Sequence, residues 1–144
     1  MRTFVIRLTD GQDLKEELLS FVKSKNIKAG FIITSVGSLK KAALRLAGAK
    51  ETKTFNEKFE ITSLVGTLSQ DGLHLHVALS DKKGNVIGGH LADGCIINTT
   101  AEIIIGEFED KIFSRELDKK TGFNELKIRD LSTVIPALRF DATN

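Results

Sequence analysis

All three histidines of the chain, His74, His76 and His90, fall within seventeen residues, and imidazoles grouped this way are raw material for a divalent-metal site. His74 and His76 sit in Leu73-His74-Leu75-His76-Val77-Ala78-Leu79-Ser80, whose alternation is that of a β-strand of period two. Both imidazoles then leave one face, about 6.5–7 Å apart at the backbone, while Leu73, Leu75, Val77 and Leu79 leave the other. Asp81-Lys82-Lys83-Gly84-Asn85 is a turn cluster of hairpin length, and Val86-Ile87 starts a second strand. With Ser80 opposite Val86, facing residue numbers sum to 166, so His90 faces His76. Facing pairs share a face, with Cβ atoms about 4.5–5.5 Å apart, and three imidazoles converge. Such a set suits zinc or a similar borderline ion and leaves a fourth position open for a substrate atom. Gly88-Gly89 is the weak point, because paired glycines often mark a bulge and one extra residue would turn His90 to the opposite face. The competing reading leaves the histidines on the solvated side of an amphipathic strand.

Other chemistry is less well supported. Cys95, in Gly94-Cys95-Ile96-Ile97, lies close to His90 in sequence and offers a fourth ligand, but a cysteine beside two isoleucines reads first as a small core residue. Glu60 and Glu102 stand in apolar runs, either at sheet edges or as a general base beside a metal; the edge is the preferred reading. Ser35-Val36-Gly37-Ser38 offers backbone amides to an anion, without a following helix to strengthen them.

The elements that must hold these residues read as α+β: a mainly antiparallel β-sheet with one principal amphipathic helix packed on it. Phe4, Ile6 and Leu8 alternate in a first strand ending at Thr9-Asp10-Gly11. Leu14, Leu18, Leu19, Phe21 and Val22 recur at helical spacing within Asp13 to Lys25, with acidic residues early and lysines late as the helix dipole prefers. Strand patterns follow at Phe31 to Val36, Ala42 to Ala47, Phe55 to Ser69, Leu73 to Ser80, Val86 to Leu91, Ile96 to Phe108 and Ile112 to Leu117. Ile97 to Ile105 is the run most easily taken for a helix. Residues 1–131 form one domain, and the apolar tail 132–144 either packs on a neighbouring subunit or is disordered.

Composition narrows the function. Twenty-one basic and 19 acidic residues give a net charge of +2, interleaved as in Asp13-Leu14-Lys15-Glu16-Glu17, which describes a solvated surface rather than a phosphate-tracking stripe. Trp and Tyr are absent, so the best base-stacking side chains are missing. One cysteine forms no internal disulfide, no stretch approaches eighteen apolar residues, and Met1-Arg2-Thr3-Phe4 lacks a signal-peptide layout. The expectation is a cytoplasmic protein without membrane contact.

Several segments together resemble the PPC family, the plant- and prokaryote-conserved domain. They are Lys58-Phe59-Glu60-Ile61-Thr62-Ser63-Leu64-Val65-Gly66, the histidine hairpin ending in Gly88-Gly89-His90-Leu91, and Ala101-Glu102-Ile103-Ile104-Ile105-Gly106. Ala29-Gly30-Phe31, Ser35-Val36-Gly37-Ser38-Leu39 and Thr121-Gly122-Phe123-Asn124-Glu125-Leu126 add to them. The resemblance implies a compact α+β domain assembling as a homotrimer. It implies too that stand-alone microbial members with this histidine pattern hold a divalent metal, at positions matching His74, His76 and His90. Plant members lack those histidines and owe their DNA contact to a separate AT-hook with an Arg-Gly-Arg-Pro core, which this sequence does not contain.

The leading reading is therefore a small homotrimeric PPC-like protein whose three-histidine site holds a divalent ion, zinc first among them, and binds or acts on a small molecule. Whether it is an enzyme stays open at this point. The alternative is a non-enzymatic regulatory module or a DNA-binding module, with direct nucleic-acid binding ranked last on charge.

Overall fold

The structure, a computed structural model, describes residues 1–134. The expectation for the tail from Ser132 onward falls, past Val134, outside the described residues. Strand β1 (Arg2–Thr9) leads into helix α1 (Leu14–Ser24), then β2 (Gly30–Arg45), β3 (Thr52–Phe55), β4 (Phe59–Ser69), β5 (Gly72–Ser80), β6 (Val86–Leu91), β7 (Ile96–Glu107), β8 (Lys111–Leu117), β9 (Asn124–Asp130) and the single turn α2 (Leu131–Val134).

The helix begins and ends where its sequence dictates. Asp13 caps it, its carboxylate accepting from the amides of Lys15 and Glu16, and Glu16 and Glu17 occupy the first turn. Asn26, with φ of 51°, takes the left-handed position just beyond the C-cap Lys25 and stops it. Leu14, Leu18 and Val22 are buried along one stripe against the sheet. Each such side chain contributes roughly 1.5–3 kcal/mol through burial.

The main sheet has seven strands paired β1-β7-β2-β4-β5-β6, with β3 on β2 and a return pairing from β6 to the far end of β2. That return closes the sheet on itself around a core that includes Leu39, Leu44, Leu68, Leu75, Leu79 and Ile103. Every pairing is antiparallel, so the α+β expectation stands, although the principal helix has only 11 residues. Strands β8 and β9 form a separate two-stranded arm.

Three strand expectations need correction. Phe31 to Val36 and the first four residues of Ala42 to Ala47 are parts of one 16-residue strand, β2, which ends at Arg45; its polar middle reads as a turn but stays paired to β7 through three register shifts. Those bulges bend β2 enough for one end to meet β4 and the other to meet β6. The expected strand Phe55 to Ser69 divides at Asn56-Glu57-Lys58 into β3 and β4. The run Ile97 to Ile105, the one most easily taken for a helix, is strand as expected within Ile96 to Phe108, and its apolar character reflects a place between β1 and β2. Finally, β9 was not expected as a strand: Leu126 and Ile128 alternate with charged residues, but they are the two apolar residues of a seven-residue segment that is largely exposed.

Candidate metal centre

The hairpin register is as the sequence dictates. Strands β5 and β6 pair His76 with His90 and Ser80 with Val86, with no shift between them. Gly88 and Gly89 therefore do not bulge. They admit close neighbours instead: a Cβ at Gly88 would lie 2.9 Å from the carbonyl oxygen of Val77, and one at Gly89 would lie 2.8 Å from that of Arg45. Strand β6 is squeezed between β5 and the end of β2, and side chains at these two positions would push it out.

His74 and His76 are exposed and His90 is partly buried, all on the outer face of the sheet, while Leu75, Val77 and Leu91 point into the core. One ligand nitrogen from each histidine can be chosen so that all three lie within 4.8 Å of one another. The Nε2 atoms of His74 and His76 are 3.3 Å apart. Two nitrogens bound at about 2.0–2.1 Å in tetrahedral array stand roughly 3.3–3.4 Å apart, so this pair already has the spacing of two zinc ligands. The Nδ1 atom of His90 is buried without a hydrogen-bond partner, and an orphaned polar atom of this kind costs about 1–3 kcal/mol unless something else satisfies it. The three side chains thus form a group that fits a divalent ion.

Electrostatics favour, at His74 and His90, the neutral form a metal requires. Burial, followed by the guanidinium of Arg45 and then His74 and His76, pushes the pKa of His90 down to about 4. Burial and then Arg115 lower that of His74 as well. A histidine deprotonated in advance meets no proton competition from pH 6.5 down to its own pKa.

The surroundings contain residues that sequence reasoning passed over. Arg45 faces His90 across β2 and β6, so one rung of the sheet runs Val65, His76, His90, Arg45 over four strands. Arg115, on the arm, donates through Nη2 to Thr67 Oγ1 at 2.7 Å, and Thr67 is the β4 partner of His74. A cleft of about 420 Å³ beside the histidines is lined by Arg45, Asp71, His74, His90, Arg115 and Glu125, among others. The long-range pairing β2–β6 brings Arg45 to the hairpin, and the arm's hydrogen bonds to Thr67 and Asp71 bring Arg115 there; neither contact has a local sequence signal.

Other expected candidates lie elsewhere. Cys95 is fully buried against β2, its thiol donating to the carbonyl of Ala43 and accepting from that residue's amide, and burial pushes its pKa up to about 11. It is a core residue outside the histidine group. Glu60 and Glu102 face solvent, but from interior strands β4 and β7 rather than sheet edges, and neither lines the histidine cleft. Ser35-Val36-Gly37-Ser38 is strand, with Ser38 Oγ donating to the carbonyl of Asn98, so it forms no anion nest.

The chain matches the Plants and Prokaryotes Conserved (PCC) domain. The family model matches residues 1–109, and the chain belongs to that family, also called PPC. It is 44% identical over 136 residues to the Bifunctional protein GlmU of Synechococcus sp. (strain JA-3-3Ab), covering 94% of this chain but only 22% of that protein. A hypothetical protein from Salmonella enterica has a similar structure, with TM-score 0.88 and 40% identity over 90% of this chain and 94% of its own. A metal-containing protein from Archaeoglobus fulgidus follows at TM-score 0.77 and 27% identity, covering 88% and 94%. A candidate DNA-binding protein from Bacteroides thetaiotaomicron has TM-score 0.78 and 27% identity, covering 87% and 91%.

Proposed function

We propose that this protein is a homotrimeric metalloprotein that holds one divalent ion, zinc, on His74, His76 and His90 and uses it to bind or act on a small molecule. The observation that carries the reading is the His76–His90 register, which together with His74 brings three ligand nitrogens within 4.8 Å. The metal-containing name of the similar Archaeoglobus fulgidus protein points the same way. Bound there, the ion supplies a Lewis acid with an open coordination position. The chain's own part is to present three neutral imidazoles from a rigid hairpin and to wall the approach with Arg45 and the β8–β9 arm.

Trimer formation is supported by apolar side chains on the outer face of the sheet: Val5, Val36 and Val65 are 74%, 60% and 53% exposed. Among the described residues no helix is long and apolar enough to cross a membrane, and the lone buried thiol suits the reducing cytoplasm. The test is metal content after purification without a histidine tag, together with sedimentation equilibrium. The reading expects one ion per chain and a particle three times the 15.8 kDa of one chain. A metal-free 15.8 kDa monomer would contradict both halves of it.

A further inference from the structure

We propose that the cleft beside the three histidines is a receptor for a small molecule carrying an oxyanion, a carboxylate or a phosphate, gripped between Arg45 and Arg115. The inference rests on the metal reading above and supplies the ligand class that the reading leaves open. Its first support is placement. Arg45 stands next to His90 on one side of the cluster, and Arg115, through Thr67, stands over His74 on the other, so two guanidinium groups bracket the histidines.

Both guanidinium groups retain donors. Among the described residues neither makes an ion pair. A guanidinium presents five N–H donors in a rigid fork suited to oxyanions, and Arg115 spends one Nη2 hydrogen on Thr67 Oγ1. Partial burial disfavours its charge, so an anionic partner is worth more there than on open surface.

Charge gives the second support. Arg45 and Arg115 are balanced in the cleft by Asp71 and Glu125. Imidazoles coordinate a metal as neutral ligands and add no charge, so a divalent ion leaves two positive charges uncompensated beside the cleft. A carboxylate removes one of them and a phosphate dianion both. Among the described residues no carboxylate belongs to the ligand group itself, so an anionic ligand would supply compensating charge that the protein does not.

The third support is the origin of the walls. The histidines lie within the segment matched by the family model, residues 1–109, whereas Arg115, Phe123, Asn124 and Glu125 lie beyond it on the arm. Phe123 lines the cleft with 64% of its surface exposed and offers an apolar contact to whatever carries the anion. Arg45 thus shares the matched segment with the histidines, and the arm adds the second wall of the cleft through Arg115 and Phe123.

Isothermal titration with inorganic phosphate and with acetate decides the matter, run on zinc-loaded and metal-free wild type, Arg45→Gln, Arg115→Gln and Arg115→Lys, with zinc content measured in parallel. We expect phosphate to bind the zinc-loaded protein, each Gln variant to weaken it tenfold or more at unchanged zinc content, and Arg115→Lys to recover part of the loss. A preference for acetate would identify the group as a carboxylate. Undetectable binding of both anions to zinc-loaded wild type, or equal affinity in wild type and both Gln variants, would overturn the inference and leave the metal site standing. Should wild type retain no zinc, the metal reading fails separately. The arginine pair then stands if metal-free protein binds phosphate in an Arg45- and Arg115-dependent way, and falls if it does not.

Discussion

Acidifying the metal-free protein should destabilise it through His90 at a pH where most carboxylates are still ionised. Burial and Arg45 bring the pKa of His90 from 6.5 to about 4, so protonation favours the unfolded chain, where the ordinary value returns. The stability tied to neutral His90 is fully present above pH 6.5 and is lost as pH falls from 6.5 toward 4. Taken at face value, such a shift corresponds to about 3 kcal/mol at 1.36 kcal/mol per unit. His90 is only partly buried, and solvent screening brings the expected loss down to about 1–2 kcal/mol. His74, lowered for the same first reason, acts in the same direction. The carboxylates with lowered values, Asp10, Asp81, Glu109 and Asp110, are exposed and act only near and below their ordinary 3.8 to 4.5, at the acid end of this window. The assay is urea unfolding of chelator-treated wild type and His90→Gln at pH 7.5, 6, 5 and 4.5, at one protein concentration because assembly contributes to stability. Wild type should lose about 1–2 kcal/mol more than the variant across that range. Parallel pH profiles, or an NMR titration of His90 centred near 6.5, would refute the reasoning.

Other consequences can be checked alongside. Gly66 has φ of 144°, and a Cβ there would lie 1.9 Å from the carbonyl oxygen of His74, so Gly66→Ala should cost roughly 2–4 kcal/mol in chemical denaturation and reduce metal retention with it. Cys95→Ala should cost about 1 kcal/mol, as a small core truncation does, and leave metal content unchanged; loss of the ion would return Cys95 to the ligand set. Duplex DNA should bind no more tightly than about 10⁻⁴–10⁻⁶ M near 0.15 M salt, by fluorescence anisotropy. Sub-micromolar affinity that separates A·T-rich from G·C-rich duplexes and survives loss of the histidines would favour the DNA-binding reading instead.

Much of the site was legible because it is local. The alternation through His74 and His76 and a five-residue turn are enough to place His90 opposite His76, and no distant part of the chain is needed. The helix was equally readable, from Asp13 at its cap to the stripe of Leu14, Leu18 and Val22. What escaped was non-local. Whether Gly88-Gly89 bulges or merely makes room depends on Arg45, some forty residues earlier in the sequence, lying against β6. The continuity of β2 through Val36 to Lys41 depends on β7, which holds its bulged middle in place. Arg115 and Glu125 reach the cleft on an arm whose second strand is charged and exposed, so its sequence resembles a loop.

The central claim is that three histidines hold one metal ion, and the most direct measurement is inductively coupled plasma mass spectrometry of untagged wild type beside His76→Ala. The His76 ring lies 5.1 Å from that of His74 and 5.6 Å from that of His90, centroid to centroid, and its removal leaves two imidazoles that chelate poorly. The account predicts one zinc per chain in wild type and almost none in the variant. Equal metal content in the two proteins, or none in wild type, would contradict it.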